Sequence, residues 1–154
     1  MKAHQHAAGA RGGQDKQALG RCMGGFSSKI HVKVDAFGLP LEYRITGGER
    51  QELTQAKFLI GDDHCEWMIA DRGYDSDAFR EALKERGIEP VIPGKKNRKK
   101  EVIIDGHIYK ERNCIERFFN KIKGFRRIAT RYDKTEAMYL GGLILIGIVL
   151  WLHI

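Results

Sequence analysis

Trp67-Met68-Ile69-Ala70-Asp71-Arg72-Gly73-Tyr74-Asp75-Ser76-Asp77 is the stretch on which the fold turns. Its first four residues are apolar without interruption. That pattern suits a strand covered on both faces, as at the centre of an α/β sheet. Asp71 follows at once and so ends the strand. Asp75, Ser76 and Asp77 then supply caps and first-turn negative charge for a helix to about Arg86, which Gly87 closes. A short strand from Glu89 to Pro93 comes next, bounded by prolines. In open α/β sheets ligands gather beyond the carboxyl ends of strands. A carboxylate at Asp71 is placed for a ligand, whereas in mid-strand it would be a costly buried charge.

Toward the N-terminus, Glu52 to Ile60 has helical spacing, and Gly61 can end it. Before it, Lys29 to Ile45 reads as a hairpin. Ile30, Val32 and Val34 alternate with Lys29, His31 and Lys33, and Leu41, Tyr43 and Ile45 alternate with Glu42 and Arg44. Period two implies one buried face and one wet face. Asp35 stands beside the turn at Phe37 to Pro40 and reads as turn chemistry, with metal binding the other reading. Residues 1–25 are rich in Gly and Ala. His4 and His6 would share one face of a strand and could begin a metal site, but no third ligand follows at a recognisable spacing. They read as the frayed end of a strand running into a loop.

Toward the C-terminus, Lys95-Lys96-Asn97-Arg98-Lys99-Lys100 is either a solvated loop or a clamp on phosphates. The next stretch runs from Tyr109 to Lys123. At ~100° per residue of a helix, Arg112, Glu116 and Lys123 fall within a few tens of degrees of one another. Tyr109 lies about 60° from Arg112 on the same reckoning. Ile115, Phe118, Phe119 and Ile122 form an apolar stripe beside them. The stretch is either an ordinary amphipathic helix with surface charges or a helix holding four polar groups at the edge of the core. Beyond it, residues 137–154 contain no Asp, Glu, Lys or Arg. They read as a buried helix, with a membrane or partner contact as the alternative.

The 154 residues suit one domain, and 42% hydrophobic with 31% charged residues is ordinary for a globular protein. A net charge of +7 favours a polyanionic partner such as nucleic acid or an anionic membrane. The three cysteines form no CxxC pair, which argues against a disulfide framework or a zinc knuckle and fits a reducing cytosol. The spacing from Asp71 to Glu116 leaves room for a helix, a strand and a loop to bring the two acids together. Converging carboxylates without a His/Cys cluster favour hard cations, Mg²⁺ or Mn²⁺.

The spacing Tyr109-x2-Arg112-x3-Glu116-x6-Lys123 resembles the Y-(2)-R-(3)-E-(6)-K signature of DDE transposases of bacterial insertion sequences. Ile69 to Asp75 is similar to that family's second-aspartate segment. The hairpin and the Phe26 to His31 segment before it resemble the strands between its first two acidic residues. The resemblance covers nearly the whole chain, residues 1–154, as one catalytic domain. It implies an α/β, ribonuclease-H-like mixed sheet flanked by helices, and metal-dependent cutting and joining of DNA. By position, Asp71 and Glu116 are similar to catalytic, metal-holding acids, with two Mg²⁺ or Mn²⁺ ions expected in the complete enzyme. Tyr109, Arg112 and Lys123 are similar to the residues that hold DNA phosphate at the cut end. Implied partners are the element's terminal inverted repeats, target DNA, and a second copy or a full-length transposase. A bacterial, cytoplasmic, DNA-associated protein without a membrane role is expected. The family's first aspartate would precede Lys2 to His6, and neither Asp15 nor Asp35 fits its place. The first strand is therefore expected to be largely missing and the chain alone to cut DNA poorly. The alternative is a non-catalytic DNA-binding or regulatory fragment, or a degraded remnant.

Overall fold

The computed structural model describes residues 1–61 and 64–153. The elements run in chain order as follows. The strands are β1 (Lys2–Ala3), β2 (Gly20–Cys22), β3 (Gly25–Val34), β4 (Pro40–Gly47), β5 (Trp67–Ile69), β6 (Glu89–Val91) and β7 (Thr130–Arg131). The helices are α1 (Leu53–Ile60), α2 (Asp77–Glu85), α3 (Gly106–Lys110), α4 (Asn113–Lys123), α5 (Arg126–Ala129) and α6 (Glu136–Leu152). They fall into two compact units, one made of Met1–Arg50 with Cys114–Ile154, the other of Gln51–Asn113.

The first unit is built on a mixed sheet. β3 pairs antiparallel with β1, β2 and β4, and β1 pairs in parallel with β7. A mixed sheet flanked by helices agrees with the ribonuclease-H-like α/β class. β1 supplies only Lys2 and Ala3, between β3 and β7. The expected hairpin is present, with Ile30 opposite Ile45 and Val32 opposite Tyr43. Ile30, Val32, Val34, Tyr43 and Ile45 all face one core with Phe118, Ile122, Ile128, Tyr139, Leu143 and Ile146. Asp35 Oδ1 accepts from the backbone N–H groups of Phe37 and Leu39 at 2.9 and 2.8 Å, which is turn chemistry.

The alternation fails in two places. Lys33 pairs with Glu42 but Val34 pairs with Pro40, so Leu41 is an extra residue in a bulge and turns outward, half exposed. His31, expected on the wet face, is buried, and its Nε2 lies 3.0 Å from Thr46 Oγ1. The frayed N-terminal end also takes a definite form. His4 Nδ1 accepts from the His6 backbone N–H at 3.3 Å, and the His4 ring stacks on Tyr132.

Helix α6 corrects a further expectation. It is buried on one face only, through Tyr139, Leu143, Ile146 and Gly147, while Leu145, Ile148 and Leu152 are exposed. The apolar sequence all round hides which side meets the sheet. Thr135 caps it, accepting from Met138 N–H, and Trp151 Nε1 donates to the Pro40 carbonyl at 3.0 Å. Among the described residues no helix is long and apolar enough to cross a membrane. Arg131 is fully buried. Its Nη1 donates to Ser28 Oγ at 2.6 Å and the Ala18 carbonyl at 3.1 Å, its Nη2 to the Gln17 carbonyl and its Nε to the Asp133 carbonyl.

The second unit is a strand–helix–strand arrangement. β5 and β6 are parallel, in register from Trp67 opposite Glu89 to Ile69 opposite Val91. Its core joins Ala56 and Ile60 of α1 to Phe79 and Leu83 of α2, with Ile88 and Ile92. Met68 and Ala70 pack on that core, but Trp67 is 44% exposed. The strand expected to be covered on both faces is therefore open at Trp67, and among the described residues its sheet has two strands. Gly87, at φ 74°, ends the helical segment in the left-handed region where a side chain would be strained.

Candidate active site

Asp71 lies two residues past the end of β5 and directly precedes a single turn of 3₁₀-helix at Arg72–Tyr74. Its carboxylate is more than half exposed. Oδ1 accepts from Arg112 Nη1 at 2.7 Å. The same guanidinium lies over the Tyr109 ring, its carbon 5.8 Å from the ring centroid. A carboxylate, a guanidinium and a phenol from two separated segments are thus joined within the second unit. Burial pushes the neighbouring Tyr74 phenol well above its usual range, with Glu52 and Asp71 adding to the rise, so it stays neutral.

The signature stretch is not one helix, which corrects the angular estimate. α3 ends at Lys110, and α4 begins at Asn113. Between them, Glu111 and Arg112 donate their N–H groups to the carbonyls three residues back, Ile108 and Tyr109. This tighter turn re-aims Arg112 relative to an ideal α-helix. Asp105 starts the first piece, accepting from His107 N–H at 2.7 Å. Glu116 stands exposed in the first turn of α4, where negative charge suits the helix dipole. Lys123 stands exposed in its last turn, two helical turns on and on the same face. Of the expected apolar stripe, Phe118 and Ile122 are buried and Phe119 packs beside them, while Ile115 is half-buried. Glu116 and Lys123 belong to the first unit, Asp71, Tyr109 and Arg112 to the second.

Asp75 was expected to cap α2, and it does not. It is buried, and its Oδ1 accepts from Arg80 Nε and Nη2 and from Arg98 Nη1, while Oδ2 accepts from Lys95 N–H. Burial alone would raise its pKa; the Lys95 N–H and the Arg80 and Arg98 guanidiniums outweigh that and hold it below the ordinary carboxylate value. Ser76 occupies the cap position without a side-chain hydrogen bond. Nothing in the spacing of Asp75, Ser76 and Asp77 distinguishes a cap from an anchor, because the partners come from residues 80, 95 and 98. Arg98 also pairs with Asp77.

Two family models, each described as a transposase DDE domain, match the chain, one over residues 1–106 and the other over residues 68–153. The chain belongs to the DDE transposase family, and its function is DNA transposition. The family acts on DNA and depends on divalent metal ions. Among individual relatives, the chain is 38% identical over 130 residues to the protein assigned as transposase of insertion sequence element IS6501 of Brucella ovis. That alignment covers 82% of this chain and 99% of the relative. It is 32% identical over 132 residues to the corresponding protein of element IS402 of Burkholderia cepacia, covering 78% of this chain and 60% of that relative. No solved structure matches the chain.

Proposed function

We propose that residues 1–154 act as the catalytic domain of the transposase, with Asp71 and Glu116 holding divalent metal and Tyr109, Arg112 and Lys123 holding DNA. The observation that carries this reading is the 2.7 Å contact from Arg112 to Asp71. It joins the signature stretch to the aspartate segment across 41 positions of sequence.

The donor chemistry fits Mg²⁺ or Mn²⁺, since both acids offer hard oxygen ligands and Asp71 is open to solvent. Such ions, when bound, supply a lowered pKa for water or hydroxyl and charge stabilisation for the phosphate. Arg112 offers a planar fork that matches a phosphate, and Lys123 a point charge. Tyr109 backs the guanidinium through its ring face and presents a phenol to the same strand. Hydrolysis at the element end frees a 3′-hydroxyl, and that hydroxyl then attacks target DNA, one phosphodiester forming as another breaks. The DNA partners are the element's terminal inverted repeats and the target, and a homodimer or a pairing with a longer transposase would hold two ends together.

The test is nicking of DNA that carries the element's terminal inverted repeats. The purified chain is compared with the chain joined upstream to a strand bearing an aspartate. Weak cutting by the first and Mg²⁺-dependent cutting by the second are expected. Asp71→Asn and Glu116→Gln should each abolish it with DNA binding retained. Cutting that survives both substitutions would reject the assignment of the acids. A non-catalytic DNA-binding fragment is the second reading, supported by the +7 charge, and DNA binding without cutting by either form would favour it.

A further inference from the structure

The Gln51–Asn113 unit has a cleft of about 380 Å³ lined by Arg72, Lys95, Arg98, Lys99 and Lys100, with Glu101 the one acid among its lining. Arg98 is paired with Asp75 and Asp77, so Arg72, Lys95, Lys99 and Lys100 against Glu101 leave the cleft positive. Such an excess inside a concave wall focuses field and draws polyanions. The arrangement is also built rather than a flexible run. Asp75 ties the Lys95 backbone N–H, at Oδ2, and the Arg98 guanidinium, at Oδ1, to one buried carboxylate, and Arg80 donates to the same Oδ1. Arg98 Nε is buried with no acceptor among the described residues. The side chains of Lys95, Lys99 and Lys100 remain exposed. One wall is Arg72, the residue next to Asp71.

We infer that this cleft is a second phosphate-binding site, separate from Tyr109, Arg112 and Lys123, which grips the backbone of DNA beside the reacting end. The inference rests on the reading of the chain as a DNA-acting transposase. The cleft takes phosphates and reads no base, so it holds DNA of any sequence. Its role is to keep the strand running past Arg72 toward Asp71.

The experiment measures binding of the purified 154-residue chain to a fluorescein-labelled random-sequence duplex by anisotropy, across a potassium chloride series. The test variant carries Lys95→Gln, Lys99→Gln and Lys100→Gln together, which leaves Asp75, Arg80 and Arg98 intact. A control variant carries Lys16→Gln, Lys84→Gln and Lys134→Gln, exposed positions outside the cleft, and loses the same charge. Melting temperature and circular dichroism establish that both are folded. The test variant should bind about tenfold more weakly, and its log–log salt slope should flatten by about 2–3, at ~0.9 for each lost phosphate contact. The control should shift much less. Equal behaviour of test variant and wild type would overturn the cleft while leaving the transposase reading in place. An equal loss in the control would overturn it too, by assigning the effect to net charge. Absence of DNA binding by the wild-type chain would overturn the cleft and the broader reading together.

Discussion

Arg112 Nη1 lies 2.7 Å from Asp71 Oδ1, so the guanidinium proposed for DNA occupies one oxygen of the carboxylate proposed for metal. A metal ion at Asp71 would therefore compete with Arg112 for the acid until phosphate draws the arginine away. Both side chains are partly exposed, which limits the pair to about 0–1 kcal/mol, or at most about fivefold in an equilibrium. Arg112→Ala should then tighten Mn²⁺ binding at Asp71, by about twofold to fivefold. Electron paramagnetic resonance titration of free Mn²⁺ measures this, with Asp71→Asn as the variant that loses the site. Unchanged or weaker Mn²⁺ binding in Arg112→Ala would contradict the competition.

How much of this site was legible in the sequence depends on how local each cause is. The Asp71 strand end, the hairpin, the turn role of Asp35 and the stop at Gly87 follow from neighbours within a few residues. Spacing alone singles out Tyr109, Arg112, Glu116 and Lys123, although the single helix it implies breaks at Glu111–Arg112. That break arises where two short helices meet, and no Pro or Gly marks it. The exposure of β5 at Trp67 depends on how many strands join it, which an apolar run of four residues does not encode. Asp75, Arg131 and His31 were missed for a related reason: each is a polar residue buried among partners distant in sequence.

Asp75 makes the clearest stability prediction. Removing the buried carboxylate leaves Arg80 without its anion and Arg98 with Asp77 alone. Asp75→Ala should cost about 3 kcal/mol, measured by urea unfolding. Its folded pKa is depressed, so its stabilisation is present above the ordinary carboxylate pKa and is lost as pH falls through the folded value. Asp75→Asn should therefore be less stable at neutral pH yet lose less on acidification. A variant with the same acid dependence as wild type would show that other carboxylates control the transition.

Arg131 should be irreplaceable by lysine. Its fork satisfies Ser28 Oγ and three backbone carbonyls from positions far apart in the chain. A single ammonium cannot reach them all, so buried acceptors are left unpaired. Arg131→Lys should cost about 2–3 kcal/mol in urea unfolding, with Arg131→Met costing more. A lysine variant within error of wild type would mean that water replaces the lost donors.

Tyr43 and Gly147 test the seat of helix α6 on the sheet. The Tyr43 hydroxyl is buried without a partner among the described residues, and burial pushes its pKa up to about 12. Tyr43→Phe removes an unpaired polar atom and should stabilise the fold by about 1 kcal/mol. With the folded pKa above the unfolded one, wild type holds its stability below the ordinary phenol value near 10. It loses stability as pH rises from there through about 12, and the Phe variant should lack that loss. A methyl group on Gly147 would sit 2.8 Å from the Tyr43 oxygen and 3.2 Å from Pro40 Cγ. Crowding of that kind costs about 1–3 kcal/mol, against roughly 1 kcal/mol of helix propensity gained. Gly147→Ala should thus destabilise wild type and do less harm in the Tyr43→Phe background, where the nearest atom is gone. Thermal unfolding of the two single variants and the double variant reads the coupling directly, and strict additivity would place the two residues out of contact.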